Sequence, residues 1–296
     1  MDGLLLIDKP SGPTSHDVVA RVRRSSGERS IGHTGTLDPR ASGLLPLLVG
    51  RATRLASLLI SSDKTYEATV RLGFATETDD EEGAPTGECQ AELPSDEAVI
   101  DVLHRFTGDL EQTPPQHSAK RIDGQRAYKL ARKSKPVQLK PVTVTVRSLA
   151  WRGRDGDRIF LTVTASSGFY VRALARDLGS VLGCGAHLAG LRRTVSGPFS
   201  VEAAIPLSTA ESLGREIASR VISPADALPH LPAVSVNAPG LRRVAHGNTV
   251  GPEHLENSWV AALGQAAAVR ILDGTGRLVA VARPRGGALH PVVVLG

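Results

Sequence analysis

Cysteine is scarce in this sequence of 296 residues, which contains only Cys89 and Cys184. Two cysteines cannot form a disulfide framework, so we do not expect a disulfide-stapled secreted domain. Cys184 and His187 have a spacing that metal ligands use, but two ligands without further partners make a poor zinc site. Ordinary burial is the simpler interpretation of this pair, and we predict no metal site.

Long apolar runs are also missing. The apolar run near the start spans only residues 4–7, and no basic segment precedes it as in a signal peptide. No stretch reaches the roughly 18 apolar residues that a membrane helix needs. We therefore expect a soluble, cytoplasmic protein with no membrane partner. The hydrophobic content of 41% is enough for a core, and the length predicts one large domain or two unequal ones.

Positive charge is in excess in this sequence, and the charged residues are unevenly distributed. The formal net charge is +5, the pI is about 9.5, and arginine greatly outnumbers lysine. Residues 77–111 contain twelve acidic side chains and one basic one, whereas residues 118–158 contain twelve basic and three acidic ones. The basic block is a candidate face for a nucleic-acid backbone, with a solvated hairpin as the alternative. The acidic block is most simply a solvated loop and helix face.

Periodicity divides the chain into a larger part with helices and strands and a small β-rich part. Apolar alternation or continuous apolar runs predict strands at 3–8, 44–49, 64–74, 142–151 and 159–165. Helical spacing predicts helices at 15–24, 53–59, 95–106 and after 166–168, with Ser15 and Ser95 as N-caps. A proline-rich stretch at 224–239 predicts a linker. Beyond it, runs at 259–263, 267–272, 278–282 and 292–295 favour a small all-β module.

The most unusual local sequence is GHTGTLDPRASG, which occupies residues 32–43. Three glycines, a histidine and an aspartate lie in a short loop between apolar segments. Such loops on a rigid scaffold often hold functional residues. From the pattern alone Asp38 is either a catalytic carboxylate or a turn cap, because Asp-Pro commonly begins turns.

This loop closely resembles the signature loop of the TruB family of pseudouridine synthases. Four more segments resemble that family, in family order: LLLIDKPSGPTSHDVV, SDKTYEATVRLGFATETDD, PPQHSAKRIDGQRAYKLAR and GFYVRALARDLGSVLGCGAHLAGLRR. The resemblance implies an α+β pseudouridine-synthase core at 1–225, with a mixed, mainly antiparallel sheet flanked by helices and an RNA-clamping insertion at about 112–140. It also implies a small all-β, PUA-like RNA-binding domain at 230–296. His117 departs from the family, which has a hydrophobic or aromatic residue there.

The resemblance also assigns roles to residues. Asp38 matches the catalytic aspartate, Tyr66 the tyrosine that stacks on the target base, and Arg172 the arginine that pairs with the aspartate. The remaining matches are His33, which fills the gap left by the extruded nucleotide; Leu191, which lines the uracil pocket; and Lys9, in a mostly structural motif. Tyr170, which lies in a matching segment, is a further candidate for substrate binding, and Arg192 and Arg193 are candidate phosphate contacts. A solvated surface is the alternative for these two arginines.

The chemistry of pseudouridine formation explains why the family needs these residue types. The N1–C1′ bond breaks, the uracil turns, and C5 bonds to C1′, so no cofactor is required. The base must first leave its stack. An ionised carboxylate then either attacks C1′ or removes the 2′ proton to give a glycal, and the sequence leaves both routes open. A guanidinium can hold that carboxylate ionised inside a pocket.

The expected function is therefore isomerisation of a uridine in tRNA, at position 55 of the T-loop, by a monomer that binds the T-arm. An RNA-binding folding helper is a second hypothesis, and both activities can coexist in one protein. A guide-RNA-dependent enzyme, as in the related dyskerin group, is a third. Enzymes of that group have extra terminal segments for partner proteins, and none is visible here, so no guide RNA is expected.

Overall fold

The computed structural model of the protein describes residues 1–115, 121–122, 125–126, 139–256 and 265–295. Its α-helices are α1 (Ser15–Ser26), α2 (Ala56–Ile60), α3 (Asp96–Leu103), α4 (Val171–Leu182), α5 (Leu207–Leu213) and α6 (Ala238–Ala245). Its strands are β1 (Gly3–Lys9), β2 (Ile31–His33), β3 (Ser42–Val49), β4 (Lys64–Leu72), β5 (Ala75–Thr76), β6 (Pro85–Thr86), β7 (Gly108–Gln112), β8 (Arg121–Ile122), β9 (Gln125–Arg126), β10 (Val142–Asp155), β11 (Arg158–Ala165), β12 (Ala186–Ser196), β13 (Phe199–Ser200), β14 (Ile205–Pro206), β15 (Ala233–Ser235), β16 (Val269–Leu272), β17 (Leu278–Arg285) and β18 (Ala288–Val294).

A ten-stranded sheet forms the centre of the described structure. Its main path runs β14-β1-β3-β12-β4-β11-β10-β7, with β2 paired to β3 and β13 paired to β12. The β1–β14 and β3–β12 pairs are parallel, and the other pairs are antiparallel. The mixed, mainly antiparallel sheet that the family resemblance implied is therefore confirmed.

Strands β1 and β3 are buried on both faces, which explains their continuous apolar sequences. On one face, Leu5 and Ile7 pack with the apolar sides of α1 and α5. On the other face, Leu4 and Leu6 pack toward the C-terminal part of the chain. Strand β4 instead alternates, and its Ala68, Val70 and Leu72 pack against α3 and α4. Helices α1 and α5 therefore pack on β1 and β3, whereas α3 and α4 pack on β4.

The C-terminal part forms a separate four-stranded sheet in the order β15-β16-β17-β18. This agrees with the small β-sheet module that the sequence predicts, although α6 also packs on it. The predicted run at 259–263 lies outside the described residues. The proline-rich stretch is more than a linker, because it contains β15 and the start of α6. Its Ala227 and Leu228 are buried in an apolar cluster that joins the two sheets.

Two local predictions were wrong. Thr14, not Ser15, is the N-cap of α1, and it forms a capping box with Asp17. Strand β12 was not predicted as a strand, although it occupies the middle of the main sheet. Bulges after Leu188 and Arg193 interrupt its pairing with β4, so its sequence lacks the regular alternation of a strand.

In the residues that the structure describes, no helix has the length and apolar character needed to span a membrane.

Candidate active site

The loop between β2 and β3 is held from beneath by two buried side chains. The Ser15 hydroxyl accepts a hydrogen bond from the Leu37 amide (2.9 Å) and donates one to the Leu37 carbonyl (3.0 Å). Lys9 is fully buried, and its Nζ donates to the carbonyls of Pro39 (3.0 Å) and Ala41 (2.6 Å). These bonds fix the backbone on both sides of residue 38. Burial lowers the pKa of Lys9 to about 8.

The end of the same loop is held by the close approach of β3 and β12. Gly43 has φ of 99°, and a Cβ there would lie 2.2 Å from the Arg193 carbonyl oxygen, so only glycine fits. The Arg193 side chain is buried and donates to the carbonyls of Leu44 (2.7 Å) and Gly35 (3.1 Å). Burial lowers the pKa of Arg193, and the neighbouring Tyr66 side chain opposes that shift.

Asp38 lies beside a buried arginine from another part of the chain. Nε of Arg172 is 3.0 Å from Oδ2 of Asp38, and its Nη1 is 3.6 Å from Oδ2 of Asp80. Asp38 has 44% of its side-chain surface exposed, but it sits in a cleft that removes much of its hydration. This burial raises the pKa of Asp38, Arg172 lowers it, and the negative charges of Asp80 and Glu82 raise it further.

A second ion-pair layer supports Arg172. One helical turn along α4, Arg176 pairs with Asp79 (3.1 Å) and with its neighbour Asp177 (2.9 Å). Arg176 also donates to the carbonyl of Thr113 at 2.9 Å. The acidic block was predicted to be solvated, yet Asp79 and Asp80 are drawn into this network with little exposed surface. The sequence of this acidic loop has no apolar periodicity, so it did not predict these ion pairs.

A cavity of about 260 Å³ opens beside Asp38 and Arg172. Tyr66, Tyr170 and Leu191 contribute to its wall. Tyr170 is the N-cap of α4, and the Gln112 amide clamps it by bonding both its backbone N–H and its carbonyl. The walls therefore offer aromatic and aliphatic surface next to a carboxylate–guanidinium pair. That combination suits a planar base attached to a sugar.

The structure brings together Asp38, Tyr66, Arg172, Tyr170 and Leu191, five of the residues predicted from the sequence. His33 does not line this cavity and lies at the end of β2. Its ring contacts that of His16 edge-on, with the ring centres 5.4 Å apart.

Of two residues predicted to bind substrate, one has the structural role also expected for it and the other needs correction. Lys9 is fully buried under the loop, so its role there is to hold the backbone. Arg193 is also buried and is bound by carbonyl oxygens, which is incompatible with the phosphate contact predicted for it. It lies instead in the cavity wall. Arg192, the other predicted phosphate contact, forms two bonds to Asp8, at 3.0 and 2.9 Å.

Sequence reasoning missed three other residues at this site. Ser15 was predicted only as a cap, and Asp80 only as part of a solvated loop. Lys64 lines the cavity two residues before Tyr66 on β4, and the alternation of that strand could have placed it on the same face. Within residues 1–115, 139–256 and 265–295, no group of three or more His, Cys, Asp or Glu side chains is placed to hold a metal ion.

Comparison with known proteins decides the family. The sequence model described as "TruB family pseudouridylate synthase (N terminal domain)" matches residues 23–171, half of the chain. A second, "tRNA pseudouridylate synthase B C-terminal domain", matches residues 172–228. The chain belongs to the TruB family of pseudouridylate synthases. It is therefore an enzyme, and the family resemblance of its five segments is confirmed.

TruB-family relatives match almost the whole chain. A protein named tRNA pseudouridine synthase B from Thermobifida fusca (strain YX) is 43% identical over 99% of this chain and 98% of its own length. One from Dechloromonas aromatica (strain RCB) is 41% identical over 98% of this chain and 94% of its own.

Solved structures agree with the TruB-family fold. A chain from the crystal structure of a Cbf5–Nop10–Gar1 complex superposes with a TM-score of 0.76 at 26% identity, over 99% of this chain and 85% of that one. A chain from an H/ACA ribonucleoprotein bound to a substrate RNA containing 2′-deoxyuridine gives a TM-score of 0.74 at 25% identity, with the same coverage.

Proposed function

We propose that this TruB-family enzyme isomerises the uridine at position 55 of the tRNA T-loop to pseudouridine, with Asp38 as the catalytic carboxylate. The coarser part of this statement, a uridine of tRNA, follows from the names of its close relatives over nearly full length. The observation that supports the role of Asp38 is its pairing with Arg172 at a cavity lined by Tyr66 and Leu191. Position 55 rests on the family resemblance.

The cavity requires the target base to enter alone. A base stacked in a folded RNA cannot reach Asp38, so the nucleotide is extruded and its uracil stacks on Tyr66, a contact of about 1–3 kcal/mol. Leu191 and Tyr170 enclose the base. His33 lies outside the cavity, and its ring is proposed to fill the space that the extruded nucleotide leaves in the RNA loop.

Asp38 acts in its ionised form. Burial raises its pKa, and Arg172 opposes that shift, so the guanidinium keeps the carboxylate charged near neutral pH. The charged oxygen then follows one of two routes. It bonds to C1′ while the N1–C1′ bond breaks, or it removes the 2′ proton while C1′–C2′ becomes a double bond and N1 leaves. After the uracil turns, C5 bonds to C1′. In the first route the Asp38–C1′ bond breaks as this bond forms, and in the second Asp38 returns its proton to C2′. C5 then loses its own proton, for which the Tyr66 hydroxyl is a candidate acceptor.

The RNA partner in this proposal is the T-arm of tRNA, bound by a monomer without guide RNA. The insertion at about 112–140 would clamp the RNA, and most of it lies outside the described residues. The domain division at 1–225 and 230–296 assigns the C-terminal sheet to a PUA-like unit that touches the acceptor-stem side.

Tritium release from a T-arm transcript labelled at uridine C5 tests the assignment. Wild-type protein should release tritium from the bare transcript, and Asp38→Asn should release none while binding the RNA with unchanged affinity. Equal release by both proteins would remove Asp38 from its role. A requirement for added guide RNA or protein would instead favour the guide-dependent alternative, and RNA refolding without release would favour a folding helper.

A further inference from the structure

Two buried cations line the cavity in addition to Arg172. Lys64 and Arg193 are only 6% and 1% exposed, and both contribute to the wall that contains Tyr66. Arg172 is already engaged by Asp38 and Asp80. The cavity therefore carries two cations beyond the one that holds the catalytic carboxylate.

Backbone carbonyls bind both of these cations. Nζ of Lys64 donates to the carbonyls of Ile60 and Ser62, near the end of α2. The Arg193 guanidinium is bound by backbone carbonyls. In the part of the chain that the structure describes, neither side chain forms an ion pair.

Burying two positive charges near one another without an ion-pair partner is unfavourable. Burial and the nearby charge of Arg193 lower the pKa of Lys64 to about 8, although the charge of Asp63 opposes this shift. An anion that enters the cavity during the reaction would offset this cost. The two cations therefore form a site that is prepared for negative charge that develops during the reaction.

Because both cations are buried in the cavity wall, their position limits which anionic group of the RNA can reach them. A phosphodiester is attached to RNA on both sides, so it remains at the mouth of the cavity, whereas the extruded base reaches the wall. The base is neutral until the N1–C1′ bond breaks. The bonding electron pair then stays on the uracil and spreads over N1, O2 and O4. Both routes available to Asp38 produce this uracil anion.

We propose that Lys64 and Arg193 stabilise the uracil anion as it leaves ribose C1′, and that Lys64 is in this sense a catalytic residue of the reaction. The inference rests on the proposed function, since it concerns the same site and the same bond. Arg193 also holds the backbone of the loop, so Lys64 is the residue at which the idea is best tested. A purely structural Lys64, which only binds the carbonyls at the end of α2, is the competing explanation.

The test compares uridine with 5-fluorouridine at the target position of a T-arm transcript. Fluorine withdraws electrons and makes the uracil a better leaving group, so the reaction needs less help from a cation. Lys64→Met should lower the single-turnover rate with uridine by about 100-fold, as for the loss of one preorganised charge-stabilising group. With 5-fluorouridine the loss should shrink to less than about 10-fold, measured as depletion of the N-glycoside in nuclease digests.

Two further variants and two further measurements complete the experiment. Lys64→Arg keeps the charge and should retain most of the rate with uridine. Arg21→Met removes an exposed cation of α1 that pairs with Glu211, and it should behave as wild type with both substrates. RNA affinity and thermal unfolding of Lys64→Met show whether the fold and the complex are intact.

Equal losses for uridine and 5-fluorouridine in Lys64→Met would overturn the inference and support the structural explanation. An unchanged rate with uridine would overturn it as well. Failure of the wild-type protein to convert uridine would instead overturn the proposed function, so the two outcomes are distinguishable.

Discussion

Arg172 contacts two carboxylates, and this arrangement affects the pKa of Asp38. Its Nε faces Asp38 and its Nη1 faces Asp80, so neither aspartate has the guanidinium to itself. After burial, the two nearby acidic residues are the causes that raise the pKa of Asp38. The acid limb of the pH–rate profile should therefore respond to the second aspartate.

Asp80→Asn should move that acid limb to lower pH. In the proposed mechanism Asp38 acts in its ionised form, so activity is lost as pH falls through the pKa of Asp38. Removing a neighbouring negative charge lowers that pKa, so activity persists further into acid. The measurement is the single-turnover rate against pH. Asp157→Asn, at an ion pair with Arg71, should leave the limb in place. A limb that stays fixed or moves to higher pH in Asp80→Asn would contradict the assigned electrostatics.

Ser15→Ala should remove the hydrogen bonds that hold the backbone beside Asp38. The buried Leu37 amide and carbonyl would both lose their partner, which lowers the free energy of unfolding by about 1–3 kcal/mol. A displaced carboxylate should also slow the single-turnover rate by roughly 10- to 100-fold. Ser25→Ala is the matched control on α1, because its hydroxyl donates to the Val22 carbonyl of the same helix. Equal effects of the two substitutions would show that the clamp is unimportant.

The residues that the sequence identified and those it missed differ in how they act. Asp38, Tyr66 and Arg172 belong to segments with a recognisable family pattern. Ser15 and Asp80 act through contacts with residues far away in the sequence, and no local periodicity records such contacts. Lys9 and Arg193 were assigned to the right region, but a sequence pattern does not show whether a long cationic side chain points outward or under a loop.

At the scale of elements, strands and helices with regular apolar spacing were predictable. Helices α1, α3 and α4 and strands β4, β10 and β11 all follow from periods of 3.6 or 2. Strand β12 escaped because its two bulges disturb the alternation of AHLAGLRRTVS. This strand nevertheless carries both Leu191 and Arg193, so the least regular strand contributes directly to the cavity.

The contact between β3 and β12 makes Gly43 irreplaceable. Gly43→Ala would combine an unfavourable φ with a clash against the Arg193 carbonyl, and it should lower the free energy of unfolding by more than about 3 kcal/mol. Gly108 has a similar φ of 94° but nothing within 4 Å of its Cβ position. Gly108→Ala should therefore lose only about 1–3 kcal/mol. Denaturant unfolding of both variants measures the difference, and equal losses would argue against the clash.

At the scale of the whole molecule, the two sheets share an apolar cluster. Leu4 and Leu44 from the main sheet and Leu278 and Val281 from the C-terminal sheet belong to it. The sequence predicted a linker and a separate module, because proline-rich composition does not reveal which surfaces meet. Since the core is continuous, the two parts should unfold together.

Leu278→Ala should lower the free energy of unfolding by about 2–5 kcal/mol and shift one calorimetric transition rather than split it. Val292→Ala, at a half-exposed side chain of the same sheet, should shift the transition much less. Two separated transitions in Leu278→Ala would show that the parts unfold independently.

The bonds from Gln112 to Tyr170 and from Arg176 to Thr113 have a consequence for engineering chimeras. They fasten the point where the predicted insertion leaves β7 to the first turns of the helix that carries Arg172. An insertion grafted from a relative can differ in length and composition beyond this junction. The graft must keep Gln112 and a backbone carbonyl in register with Arg176, or the guanidinium opposite Asp38 will lose its alignment before any RNA arrives.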